Sequence, residues 1–557
     1  MSMSYGKRVA PASCSDDPEK RLRTEIVDLF LNNETSTRRI SRLATAARDV
    51  GADGLEELIR RSDPGNKNAS RDLLRYATKL SKWPKLYEAN IIGKKVHSEE
   101  RRDCRVAMLL PHEIMDVFFE RNDLNRLLTR QKDLLLTRPD LRRQGANADE
   151  ILLGLWQDGV PFNSNREHSL ETWSLSVLAM PDLRIPLTAW PKDLQVKQAS
   201  HESMFAILRW SFEALSRGKM PESRHDGSAF GPTDGWRKQR AGKALSYRAH
   251  VLELRGDWSM CKSVLGLPGW CDNGHMCWRC NIEKHHLQEV KDTAPWRMRR
   301  LSHGEFIRRQ QDDNRWLSTF FELPGVTIDT VKLDFLHIAD LGTTCDFFGN
   351  FLHFVTFHKM RGGNHAQRCE VFFKQEIQPY YRDNDVESRL PCLRPTMLKK
   401  EKGTYKLRAK AGEARALVGL LPRIMHRYLN GAIELERAIG FTGQELVKMY
   451  ECLSHTVFSD ESFGKSVIGF LDGLVWLERY YQVQGDNKTW RLKPKSHLLA
   501  ELGREGINPS STWTYRDESF GGDLASIGKR LGGDFTMLAV SRHILNRWIA
   551  REPFPVV

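Results

Sequence analysis

Two strand-like segments, each closed by an aspartate, limit this chain more than any other feature. The first, Ile151-Leu152-Leu153-Gly154-Leu155-Trp156, is continuous rather than alternating and ends in Gln157-Asp158-Gly159. That pattern is expected of a strand buried on both faces. The second, from Tyr247 to Leu254, ends in Arg255-Gly256-Asp257. Between them lie two further strand-like runs, Thr172 to Met180 and Arg184 to Trp190. An amphipathic helix follows these, with Phe205, Leu208, Phe212 and Leu215 on one stripe.

The order β-β-β-α-β, with an aspartate closing the first and fourth strands, is that of an RNase H-like core. The expected fold class is therefore α/β: an RNase H-like core with a large insertion, flanked by helical N- and C-terminal domains. In chain order we expect a loose N-terminus (1–20) and a helical domain (21–150), where leucines recur at helix-like spacing. The first part of the core (151–260) and an insertion (261–400) come next. A helix from about Leu407 bears Glu413 and bends or restarts at Pro422 (401–435). A mainly helical remainder (436–557) is interrupted by a polar loop around Asn508 to Gly522.

Strand-terminal carboxylates can do specific chemistry. Adjacent parallel strands end side by side, so Asp158 and Asp257 can project into one space, where two anions repel unless divalent cations bridge them. A helix-borne glutamate, Glu413, would complete a set able to hold two Mg²⁺ or Mn²⁺ ions about 4 Å apart. Such a pair of ions serves phosphodiester cleavage and strand transfer.

At these residues the chain resembles eukaryotic cut-and-paste transposases of the CACTA-like group, including Plavaka-type relatives. Four collinear segments carry the resemblance. Leu155-Trp156-Gln157-Asp158-Gly159-Val160-Pro161-Phe162 is similar to the family's first-acid strand. Arg255-Gly256-Asp257-Trp258 is followed, as in the family, by a short helix and a CxxC, here Cys277-Trp278-Arg279-Cys280. Asp334-Phe335-Leu336-His337 leads into Asp340-Leu341-Gly342, and Lys410-Ala411-Gly412-Glu413-Ala414-Arg415 is similar to the segment around the third acid. Ala414 stands where the family often has Trp, and no N-terminal DNA-binding finger is visible. The resemblance implies a DDE transposase with Asp158, Asp257 and Glu413 as its triad. Transposon ends and target DNA would be its partners, bound by a homo-oligomer. The rival readings are a domesticated or inactive transposase-derived DNA- or chromatin-binding protein, and a non-enzymatic scaffold that keeps the fold.

Ten cysteines in a chain expected to be intracellular argue against a disulfide framework. Cys277 and Cys280 have the spacing to present two thiolates to a structural Zn²⁺, with two more ligands drawn from Cys271, His275, His285, His286 and His337. Lys and Arg number 85 against 71 Asp and Glu, a net charge of +14, which favours a polyanionic partner. Two loops combine cations with indole rings: Trp236-Arg237-Lys238-Gln239-Arg240, and Trp296-Arg297-Met298-Arg299-Arg300 with Arg308-Arg309. Of these, Arg237, Lys238, Arg240, Trp296, Arg297, Arg299 and Arg300 are the expected DNA contacts. No apolar run is long enough to span a bilayer, and Met1 to Ser15 lack the apolar core of a secretory leader. A nuclear location without membrane partners is the expectation.

Overall fold

A computed structural model describes residues 17–31, 35–162, 168–272, 274–291, 293–398, 404–454, 457–529 and 535–556. The fold is mixed α/β and mostly helical, with two small sheets. A four-stranded sheet organises the middle of the chain. Its strands are β3 (Ile151–Pro161), β4 (Ser169–Val177), β5 (Ile185–Pro191) and β6 (Ala249–Arg255), in the spatial order β5-β4-β3-β6. The β3–β4 and β4–β5 pairs are antiparallel, and β3 runs parallel to β6. Every residue of β3 from Ile151 to Gln157 is buried, as its unbroken apolar run requires.

The long helix Lys197–Arg217 returns the chain from β5 to β6. It buries Met204, Phe205, Leu208, Phe212 and Leu215 along one stripe. It stops at Gly218, whose left-handed φ of 68° costs a glycine nothing.

The segment expected to be wholly helical before the sheet contains an antiparallel hairpin, β1 (Tyr87–Gly93) with β2 (Arg102–Met108). The burial of β1 alternates along the strand, so a period of two was present in Tyr87-Glu88-Ala89-Asn90-Ile91. Leu109 N–H donates to the Leu187 carbonyl at 2.8 Å, which joins the end of the hairpin to β5. Ahead of the hairpin, the helices between Pro18 and Leu80 close a separate small core around Ile40, Leu58 and Leu73.

After β6 the chain enters a long helical excursion. Pro422 falls in the first turn of a fresh helix, Leu421–Tyr428, after Ala411–Val418 has ended, so the restart is realised there. The chain comes back to the sheet with the helix Tyr515–Gly528, across the segment expected to be a polar loop. Gly521 lets this helix lie close on β3: a Cβ there would stand 2.7 Å from the Trp156 ring and 2.8 Å from Val160. The last helix, Met537–Arg551, packs on β2 and β5, and Ser541 Oγ accepts from Ala107 N–H at 2.9 Å. Among the described residues no helix is long and apolar enough to cross a membrane.

Candidate active site and metal centre

Parallel pairing brings the two aspartates together. Trp156 stands opposite Arg255, so Asp158 and Asp257 each lie two residues further along neighbouring strands. Asp257 also caps the helix Trp258–Leu265, its Oδ1 accepting from Met260 N–H at 2.6 Å. Gly256 makes the tight passage possible: a Cβ there would stand 2.9 Å from the Gln157 carbonyl oxygen and 2.2 Å from Met260. Burial, and then the charge of Asp257, push the Asp158 carboxyl up to about 6.

The glutamate that meets Asp158 is Glu518, on the helix Tyr515–Gly528. Its carboxyl is pushed up to about 8 by burial first, then by the charge of Asp158 and a hydrogen bond shared with it. Glu518 Oε1 is buried with no hydrogen-bond partner and lies 3.9 Å from His337 Nε2. Glu413, expected to be the third acid, is turned to its own helix instead. Its Oε2 accepts from the Lys410 N–H at 2.8 Å, capping the helix Ala411–Val418. The four-residue segment Tyr515-Arg516-Asp517-Glu518 did carry a signal, since paired acids open helices.

His337 belongs to this site and not to a zinc set. Its Nδ1 lies 2.5 Å from Asp334 Oδ2. Burial works against its protonation, but the hydrogen bond and charge of Asp334, with Glu518 and Asp257 beyond, raise it to about 9. The ring lies in a π-helical stretch, Leu336–Thr343, of the kind that interrupts helices at functional sites.

The Asp334–Asp340 segment also anchors the Glu518 helix. Asp334 accepts from Thr514 N–H at 3.1 Å and from Thr514 Oγ1 at 2.7 Å. Asp340 accepts from Tyr515 at 2.8 Å and from Tyr450 at 2.5 Å. Arg415, two residues beyond Glu413, lies over the Trp513 ring at 4.4 Å. On the sheet side, Asp517 pairs with Arg184 and, at 3.4 Å, with Arg255. The first turn of this helix is therefore held from two sides, which fixes where Glu518 points.

A second cluster could hold a metal ion. Cys277, Cys280, His497 and Glu501 are all buried, and one ligand atom from each lies within 4.8 Å of the others. His497 and Glu501 sit one turn apart on the helix Pro494–Leu502. His497 Nε2 is 3.4 Å from Cys280 Sγ and 3.7 Å from Glu501 Oε1. Burial opposes ionisation of Cys277. The Cys280 hydrogen bond, with the charge and hydrogen bond of His497, outweighs it and brings this thiol well below its ordinary value. Glu501 is held above the usual carboxylate range by burial and by Cys277, and its Oε1 has no hydrogen-bond partner. Arg309 donates to the Cys277 and Cys280 carbonyls at 2.7 and 2.9 Å, fixing the CxxC turn.

The other expected metal ligands are engaged elsewhere. Cys271 accepts from Lys262 Nζ at 2.8 Å, and His275 faces the Asn281 carbonyl at 3.2 Å. His285 and His286 pair with Glu283 and Glu289 at 3.4 and 2.6 Å. His497-Leu498-Leu499-Ala500-Glu501 has the i,i+4 spacing of ligands on one helix face, and that spacing was the available signal.

Most of the expected DNA-contacting side chains have structural partners. Arg237 is buried, bonded to Glu113 at 2.5 and 2.9 Å and to Asp234 at 3.0 Å. Arg240 pairs with Asp116 at 2.8 Å, and Lys238 is exposed beside it. Trp296 is buried edge-on against His497, ring centroids 4.4 Å apart. Arg299 pairs with Glu305, and Arg300 with Asp329 at 2.7 Å. The Arg297 side chain lies outside the described residues. Short polar segments rich in Arg are ambiguous in sequence because the same guanidinium serves a buried carboxylate as well as a phosphate.

Comparison with models of known protein families finds no match, and comparison with curated protein sequences finds none either.

Proposed function

We propose that this chain is a DNA transposase-like protein that cleaves and joins DNA with divalent metal, through Asp158, Asp257 and Glu518 on an RNase H-like core. The observation that carries the reading is the convergence of these three carboxyls. Asp158 lies within β3 and Asp257 just past the end of the neighbouring parallel β6, and the third comes from a helix packed on β3. The strand order β5-β4-β3-β6, with only β6 parallel to β3, supports an RNase H-like core. The four family-like segments support the transposase class, with Glu518 in place of Glu413 as third acid. DNA is the proposed partner and the nucleus the proposed location.

The donor set suits Mg²⁺ or Mn²⁺. All three groups offer hard oxygens, and the buried Glu518 Oε1 has no hydrogen-bond partner of its own. Two such ions would supply activation of a water or 3′-hydroxyl and neutralise charge at the phosphate. The chain's own part is to hold three carboxyls against their repulsion, with Asp517 and Asp334 fixing the helix that carries Glu518. Protonated His337, beside Glu518, offers a cation toward an incoming phosphate. The Cys277–Cys280–His497–Glu501 set is proposed to hold a structural Zn²⁺ that ties the start of the helical excursion to its end, since two thiolates, an imidazole and a carboxylate suit that ion.

The test is nicking of supercoiled DNA in Mn²⁺ by wild type and by the Asp257→Asn, Glu518→Gln and Glu413→Gln variants. Loss of one metal ligand removes several kcal/mol of barrier lowering. The first two variants should therefore be at least about a thousandfold slower, and Glu413→Gln should stay within a few fold of wild type. Activity retained in Glu518→Gln and lost in Glu413→Gln would reverse the assignment.

A further inference from the structure

Beside Asp257 opens a cavity of about 820 Å³ that the acid triad does not fill. Its charge is opposite to that of the triad. Lys406, Arg408, Lys493 and Lys495 line it against only Asp257 and Asp346. Lys493 is matched to Asp346 at 2.5 Å. Lys406 and Lys495 instead donate to main-chain carbonyls, of Leu341 and His337, each at 2.6 Å. Among the described residues neither has a carboxylate within ion-pair distance, so two lysines line the cavity without a direct ion pair, although Asp257 and Asp346 share its wall.

One wall is aromatic. Trp258 is buried and held by a bond from its Nε1 to the Pro268 carbonyl at 3.0 Å. Trp270 packs edge-on against it, ring centroids 5.6 Å apart, and stays 44% exposed. An indole left this open presents a flat apolar face to the cavity.

We propose that this cavity receives one unpaired nucleotide next to the phosphate being cut, its base stacked on Trp270 and its phosphate held by Lys406 and Lys495. The proposal rests on the transposase reading and adds a subsite to it. Unpaired cations select an anion, and an exposed indole selects a flat π-face. A nucleotide carries both, and a duplex is too wide for a cavity of this size. Ligand clefts of about 300–1,000 Å³ take molecules of nucleotide scale. A base still in its stack must be extruded first, at a cost, so DNA already unpaired here should bind better. Stacking of one base on an indole corresponds to roughly tenfold in affinity.

The experiment uses the full chain in EDTA with two fluorescent probes, a blunt duplex and the same duplex with a short unpaired tail. The tail carries 2-aminopurine, whose emission falls on stacking. Wild type should bind the tailed duplex about tenfold more tightly and quench the reporter. Trp270→Ala and Lys406→Ala should bring the tailed duplex down to the blunt one, and Trp270→Phe should restore part of the quenching. Because Trp270 is exposed, its variants test the idea even where Lys406→Ala fails to fold. Equal affinity for both probes, with DNA binding and Mn²⁺-dependent nicking intact, overturns the nucleotide pocket and leaves the transposase reading standing. No salt-sensitive binding to either probe, and no nicking, removes both.

Discussion

Neutralising Glu518 should make the metal-free protein more stable while abolishing its activity. Burial and mutual charge push the Asp158 carboxyl up from 3.8 to about 6 and that of Glu518 up from 4.5 to about 8. The folded state thus keeps protons that the unfolded chain has already released. Stability contributed by the two groups is complete below about pH 4 and is lost as pH rises toward 8. One pKa unit is worth about 1.36 kcal/mol, but the two carboxyls share a proton, so their displacements do not add. The Glu518 side chain is also 36% exposed, which screens its share.

About 2 kcal/mol of repulsion at pH 8 remains after that discount. Unfolding entropy of roughly 2.1 cal/mol/K per residue gives about 1.2 kcal/mol/K for the whole chain, so Glu518→Gln should raise Tm by about 2 °C. The assay is a thermal melt of wild type and Glu518→Gln in EDTA at pH 5 and pH 8. The gap between them should open with rising pH. Added Mn²⁺ should then raise the wild-type Tm, as binding to the folded state alone requires, and leave the variant nearly unmoved. A variant less stable than wild type at pH 8, or a gap independent of pH, would refute the repulsive cluster and with it the metal-site reading of Glu518.

Arg237→Ala should destabilise by about 3–5 kcal/mol, because it strands buried Glu113 without a counter-charge. The salt dependence of DNA binding by whatever remains folded should be unaltered, as a fluorescence anisotropy titration would show. Cys280→Ser, or a strong chelator, should release about one equivalent of zinc by elemental analysis and lower Tm, since metal binding and folding are coupled at buried sites. A purified protein with no zinc and an unchanged melt would contradict that site.

The local sequence carries the strands and their aspartates. A continuous apolar run makes β3 and a mixed one, Ala249-His250-Val251-Leu252-Glu253-Leu254, makes β6; β3 runs on to Pro161, so Asp158 lies within it, and pairing of the two strands brings it beside Asp257 just past the end of β6. Pro422 marks a helix start and Cys277-Trp278-Arg279-Cys280 a two-thiol turn for equally local reasons. What those groups meet was not legible in the same way. Glu413 and Glu518 each sit in the first turn of a helix, and nothing within a few residues tells them apart. The difference is that Gly521 fits against Trp156 and that Asp334 and Asp517 clamp one helix to the sheet, contacts made between segments far apart in the chain. His497 and Glu501 reach the cysteines by the same kind of distant docking, and Arg237 and Trp296 were drawn into the interior by carboxylates and rings that their own neighbours in sequence do not reveal. Periodicity and chain-end chemistry are set by adjacent residues, whereas the partner of a side chain is chosen by the packing of the whole.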